Sequence, residues 1–167
     1  NVYLAGYTGS TSGIATSGSH QTAIAGNYDA FLVKFNGNGT RQWATYYGGS
    51  GGEIFVACAT APTGNVYLIG STNSPASIAT PGSHQTIKSG IDDLFLVKFN
   101  SAGLRMWGTY YGGSSSDLGG SNSGFCASDP SGNIYVSSET LSGSGIASNG
   151  AHQTKAGGSR DAFLVQF

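Results

Sequence analysis

An all-β fold built from repeated antiparallel blades, about two and a half blades of a β-propeller, follows from three features of this 167-residue sequence. The first is internal repetition with a period of 64–68 residues. Asn1-Val2-Tyr3-Leu4 returns as Asn65-Val66-Tyr67-Leu68 and as Asn133-Ile134-Tyr135-Val136, and His20-Gln21-Thr22 returns as His84-Gln85-Thr86 and His152-Gln153-Thr154. The second is composition: 8 Phe, 9 Tyr and 2 Trp among β-branched residues make strands, and no long 3.6-residue apolar period makes helices. The third is turn punctuation, since 28 Gly with Asn, Ser and Pro fall between the apolar runs.

Each repeat holds four short strands, a to d. In the second repeat, strand a lies near Ile54–Ala59, b near Asn65–Thr72, c at Asp93–Asn100 and d at Leu104–Tyr111. Strand c puts Phe95, Val97 and Phe99 on one face and Leu94 and Leu96 on the other. A strand apolar on both faces belongs to a sheet covered on both sides. The Ala61-Pro62-Thr63-Gly64, Asp129-Pro130-Ser131-Gly132 and Asn36-Gly37-Asn38-Gly39 stretches supply tight a–b and c–d turns. Residues 1–49 then form a partial blade (b, c, d), 50–113 a complete blade, and 114–167 a second partial blade (a, b, c). Four-stranded antiparallel units in series make a propeller. Ten strands with six in the terminal pieces do not close a ring, so the remaining blades are expected in a larger polypeptide.

Charge removes several functions. Seven Lys+Arg against eight Asp+Glu leave a net charge of −1, and charged residues are 9% of the chain. That is too few cations for a phosphate-binding stripe, so no nucleic-acid partner is expected. No apolar stretch nears the roughly 20 residues of a membrane span. A surface made polar by Ser, Thr, Asn and Gly instead of charge reads as extracellular.

The Gly-Asn-Val-Tyr-Leu strand, the Asp-Ala-Phe-Leu-Val-Lys-Phe-Asn strand and the Trp/Thr-Tyr-Tyr-Gly-Gly strand together resemble the bacterial SBBP-type β-propeller repeat, over essentially the whole chain. That resemblance implies a secreted or surface-attached bacterial protein. The Ser12–Thr16 and Gly18–Thr22 segments resemble those of Bacteroidota proteins, many of which are similar to type IX secretion cargo. The family label concerns fold more than chemistry.

Strand order places the b–c and d–a connections at one end of the blades. The b–c loops, residues 9–28, 73–92 and 141–160, each have 20 residues, far beyond an ordinary connection, and long insertions on one face are the usual binding surface of such arrays. The d–a loop carries four extra residues within Ser114–Gly124.

Candidate binding residues on that face are His20, Gln21, His84, Gln85, His152, Gln153, Tyr28 and Asp117. Imidazoles are common metal ligands. Identical His-Gln-Thr triplets in every repeat instead favour hydrogen bonds to their own loop backbone, and no metal or other cofactor is expected, since no second His or Cys lies at zinc-like spacing. Asp29, Asp93 and Asp161 open strand c and match no calcium loop, which leaves a strand-entry hydrogen bond. Asp117 and Glu53 lie by the d–a loops, where a carboxylate pair for glycosidic chemistry stays open. The Gly48–Gly52 run reads as a flexible linker. Trp43, Trp107, Phe31, Phe95 and Phe163 recur at fixed strand positions, as blade-packing aromatics do. Cys58 and Cys126 occupy equivalent strand-a positions, and a disulfide between diverging sheets is not expected.

The reading that follows is a non-enzymatic interaction module of a secreted or surface propeller, presenting its b–c loops to a protein or polysaccharide. A lectin-like, glycan-binding propeller is the first alternative. Part of a propeller enzyme, with its active site in other blades, is the second.

Overall fold

The computed structural model describes residues 1–117 and 125–167. Ten strands lie among them: β1 (Val2–Thr8), β2 (Asp29–Phe35), β3 (Arg41–Tyr47), β4 (Glu53–Thr60), β5 (Val66–Thr72), β6 (Asp93–Phe99), β7 (Arg105–Tyr111), β8 (Phe125–Ser128), β9 (Ile134–Thr140) and β10 (Asp161–Gln166). They form three antiparallel sheets, ordered β1-β2-β3, β4-β5-β6-β7 and β10-β9-β8. Every strand pairs with its sequence neighbour.

Tight turns fix the register. Asn36 closes the β2–β3 connection by accepting the Asn38 and Thr40 amides on its Oδ1, at 3.0 and 2.9 Å, and Asn100 does the same for Ala102 and Leu104 between β6 and β7. These are Asx turns, which is why Asn recurs there. Register then follows residue by residue, with Leu68 opposite Val97 and Leu96 opposite Thr109. β4 is the irregular strand: its pairing with β5 shifts between Ile54 and Ala57, and Phe55 within that bulge has φ of 54°.

The middle sheet is buried on both faces. Ala30, Leu32 and Tyr47 of the first sheet pack on Val66, Leu68, Phe95, Val97 and Phe99. The opposite face puts Tyr67, Ile69, Leu94 and Leu96 against Ile134 and Val136 of the third sheet. Period-two alternation on β5 and β6 therefore builds two cores from one sheet. Each fully buried Leu, Ile or Phe contributes about 1.5–3 kcal/mol. Strands β1 and β8 both lie against β4, so the sheets meet through successive first and second strands. Phe95 is fully buried, whereas Phe31 and Phe163, which share its repeat position, are half-buried on the outer sheets.

Trp43 and Trp107 are half-buried and span the seams between sheets. The Trp43 indole N–H donates to the Ser101 carbonyl of the next sheet at 3.1 Å, and Tyr67, Trp107 and Phe167 cluster at the following seam. Cys58 and Cys126 are free, half-buried thiols. Burial pushes both up, Cys126 to about 12 with the neighbouring Cys58 adding to the effect. The four additional residues of the Ser114–Gly124 connection fall in 118–124, outside the described residues, because Gly113 to Asp117 spans the same interval as Gly49 to Glu53. No helix among the described residues is long and apolar enough to cross a membrane.

Candidate functional site

The loops 9–28 and 73–92 leave β1 and β5 at the same end of their sheets and return into β2 and β6. Each is pinned by one Asp and one Gln. Asp29, fully buried at the start of β2, accepts the Ala25 and Gly26 amides at 2.9 and 3.0 Å and the Gln21 side-chain amide at 2.6 Å. Asp93 repeats this with Ser89, Gly90 and Gln85 at 2.8, 3.1 and 2.8 Å. A carboxylate accepting three N–H donors neutralises the cost of its own burial.

Gln21 joins this clamp to the last strand of its sheet. Its amide oxygen accepts Gly48 N–H at 3.0 Å, its backbone N–H donates to Thr45 Oγ1 at 3.0 Å, and its carbonyl accepts Tyr46 N–H at 3.1 Å. Gln85 makes the same set with Gly112, Thr109 and Tyr110. The paired tyrosines complete the frame. Tyr46 and Tyr110 donate to the Ser10 and Ser74 carbonyls of their own loops at 2.8 and 3.0 Å, and Tyr111 donates to Ile146 of the following loop at 2.6 Å.

The histidines take a different role from the backbone hydrogen bonding expected of the triplet. His20 packs on Tyr47 and on Phe99 of the next sheet, with centroids at 5.8 and 5.9 Å, and His84 stacks on Tyr111 at 5.6 Å with Phe167 at its edge. Gln performs the anchoring, and the exposed His20 and His84 rings lie over the aromatic seams. Partial burial pushes the His20 imidazole below its ordinary range, and the Arg105 guanidinium adds to this. His152 and Gln153 lie exposed on the third loop, where Asp161 accepts the Gly157 amide at 2.5 Å.

Asp117 is corrected from a binding residue to a sealed one. It is fully buried, accepts Gly113 N–H at 2.6 Å and Ser142 Oγ at 2.9 Å, and is also bonded by Thr140. Glu53 is its repeat counterpart: Thr72 and Ser74 hydroxyls donate to it at 2.6 Å each, and Gly49 N–H at 3.1 Å. Burial pushes the Glu53 carboxyl up, against those donors. The two carboxylates sit in separate seams and each is consumed by internal donors, so neither faces a shared substrate. Gly48 and Gly49 are likewise no flexible linker. Both are buried, and a Cβ on Gly48 would stand 2.2 Å from the Glu53 carboxylate. This carboxylate lock escaped sequence reading because Glu stands in one copy and Asp in the other; the offset of 64 shared with the preceding Gly-Gly, with a Thr-x-Ser following at Thr72 and again at Thr140, was the available signal.

What the frame presents to solvent is not repeated. Between the Gln and Asp anchors, Ala23, Ile87 and Lys155 share one position, Asn27, Ile91 and Ser159 another, and Tyr28, Asp92 and Arg160 a third. Ile87, Ile91 and Tyr28 are 73%, 70% and 51% exposed. Tyr28 is propped edge-on by Tyr7 at 6.0 Å and rims a cleft of about 260 Å³ that also takes in Asn27, Asn73 and Asp92. Arg160 pairs with Glu139 at 2.6 Å. Among the described residues no three His, Cys, Asp or Glu side chains cluster as metal ligands. No protein-family model matches the chain, and no curated protein matches it.

Proposed function

We propose that this chain is a run of blades from an SBBP-type β-propeller, a non-enzymatic extracellular module of a secreted or surface-attached bacterial protein that binds a protein or polysaccharide through its b–c loops. One observation carries the reading. Sequence varies between repeats at the largely exposed positions that lie between a Gln and an Asp present in every repeat. A rigid frame bearing dissimilar exposed residues is how scaffolds separate folding from recognition. The exposed Ile87 and Ile91 give such a surface apolar contact area, and the low charge suits a polar, weakly charged partner. The test is a pull-down and array screen with the intact chain and an Ile87→Ser/Ile91→Ser variant. A ligand retained equally by both sinks the loop reading.

The cleft at Tyr28 favours glycan as the ligand. An exposed aromatic face with a carboxylate and two amides close by suits the C–H face and hydroxyls of a neutral sugar. Tyr28→Ala is expected to abolish saturable sugar binding measured by NMR titration while leaving the melting temperature within about 2 °C, as for a surface substitution.

A further inference from the structure

Four chain segments lie side by side at the loop end of the first two sheets. Glu53 N–H donates to the Tyr28 carbonyl at 2.8 Å and Asn73 N–H to the Gly52 carbonyl at 3.3 Å, while the β5–β6 ladder sets Thr72 opposite Asp93. Tyr28, Gly52, Asn73 and Asp92 therefore follow one another across a single band. Strand spacing puts the two ends of that band roughly 14 Å apart. All four residues line the same cleft of about 260 Å³. Gly52 keeps its middle open, since a Cβ there would meet nothing within 4 Å. The cleft is thus longer than one sugar ring, with Tyr28 at one end and Asp92 at the other.

The Asp92 end carries polar groups that the protein does not use. In the outer repeats the residue at this position is engaged by the one 21 places earlier: Tyr7 packs edge-on against Tyr28 at 6.0 Å, and Glu139 pairs with Arg160 at 2.6 Å. The middle repeat has Ser71 and Asp92 instead. Ser71 is 1% exposed and lines the cleft, and its hydroxyl makes no hydrogen bond among the described residues. The Asp92 carboxylate accepts the Ser116 hydroxyl at 3.3 Å, and no Lys, Arg or His among the described residues lies within ion-pairing distance of it. Two short side chains stand where the outer repeats have a pair that satisfies itself, which leaves room and an unpaired charge. A buried hydroxyl without a partner costs free energy until a ligand bonds it.

Glu139 and Arg160 show what this place accepts, a carboxylate met by a nitrogen cation. In the middle repeat the carboxylate is present without the cation. An ammonium supplies three donors and a positive charge, and its bond to a carboxylate is about twice as strong as one between neutral groups. A sugar hydroxyl in the same place supplies one donor and no charge. Asn73 Oδ1 already accepts Gly52 N–H at 2.7 Å, which leaves the Asn73 NH₂ as a donor for neighbouring hydroxyls.

We infer that the cleft takes a glycan of two or more units in which one ring stacks on Tyr28 and the next carries a free amine, held as its ammonium by Asp92 and Ser71. The inference rests on the glycan reading of the cleft and adds the class of sugar. N-acetylation removes the charge and adds bulk at the same nitrogen, so an acetylated chain is the discriminating ligand.

The test is NMR titration of the isotopically labelled full chain with three matched trisaccharides, of glucosamine, of N-acetylglucosamine and of glucose. The expected result is a saturable shift of the Gly52 and Asn73 amides, with the glucosamine trimer binding roughly tenfold or more tightly than the other two, the size of one charge-assisted bond. Asp92→Asn, which keeps the side-chain shape, is expected to remove the difference among the three without changing the thermal melt. Equal binding of the three trimers by the parent chain, or a preference that survives Asp92→Asn, overturns the amine and leaves the glycan reading standing. No shift with any trimer overturns both. Tri-lysine shifting the same amides at lower concentration than the glucosamine trimer overturns the sugar in favour of a protein cation.

Discussion

The Tyr47 hydroxyl donates to the Ile78 carbonyl oxygen at 2.6 Å, tying the last strand of the first sheet to the β5–β6 loop of the second. Both groups are buried, and Tyr111 makes the equivalent bond to Ile146. A loop of one sheet is therefore held by the last strand of its neighbour.

Removing that hydroxyl isolates the cost. Tyr47→Phe leaves a buried carbonyl without its donor and is expected to destabilise by about 1–3 kcal/mol. Urea denaturation measures it. An unchanged midpoint would show that the bond does not hold the seam.

Gln85→Ala is expected to damage the loop more than His84→Ala. The Gln variant strips a charge-assisted bond from buried Asp93 and breaks the link to Gly112, a loss of about 1.5–3 kcal/mol. The His variant loses edge and stacking contacts of about 0.5–1.5 kcal/mol. Amide exchange at 86–92 ranks them, and the reverse order would contradict the assignment of anchoring to Gln.

Glu53 makes stability rise on mild acidification. Its folded carboxyl is raised by burial, so between the raised value and the ordinary glutamate range the native state binds more protons than the unfolded chain. This contribution grows as pH falls through that window and is absent above it. His20, whose imidazole is lowered, acts in the opposite sense as pH falls through the ordinary histidine range, because the unfolded chain then protonates first. The comparison is therefore between the parent and Glu53→Gln, which share His20. The melting-temperature difference should move in favour of the parent as pH drops from neutral toward the ordinary glutamate range, and a difference independent of pH would refute it.

Phe95→Ala and Trp107→Ala separate core from seam. Phe95 is fully buried between β5 and β7 and falls in the roughly 3–5 kcal/mol class of buried aromatic truncations. Trp107 is half-buried, and about 1–2 kcal/mol is expected, scaled down from that class. Thermal melts of the two variants side by side check the ranking.

The thiols Cys58 and Cys126 are raised by burial and are expected to react slowly with a disulfide reagent at pH 8 until the chain unfolds. Rapid stoichiometric labelling of the native protein would contradict their placement between strands.

Much of the sheet arrangement was legible in the repeats. Asp93-Leu94-Phe95-Leu96-Val97 announces a strand buried on both faces, since period-two alternation with no polar face leaves no side for water. Asn36 and Asn100 announce the turns, because an Asx turn is a local event between residues two to four apart. The site was less legible. Gln21 looked like one member of a loop triplet, and its role depends on Thr45, Tyr46 and Gly48, at least 24 residues away. Glu53 and Asp117 looked like free carboxylates because their donors Thr72, Ser74, Thr140 and Ser142 come from the next strand and its loop.

By itself the sequence determined the strands, the turns, their order and the length of the exposed loops, all properties of local periodicity and of recurrence along the chain. Only the tertiary structure decided which polar residues are anchors and which are surface. That division depends on burial and on hydrogen bonds between strands distant in sequence, and a buried carboxylate and an exposed one are spelled with the same letter.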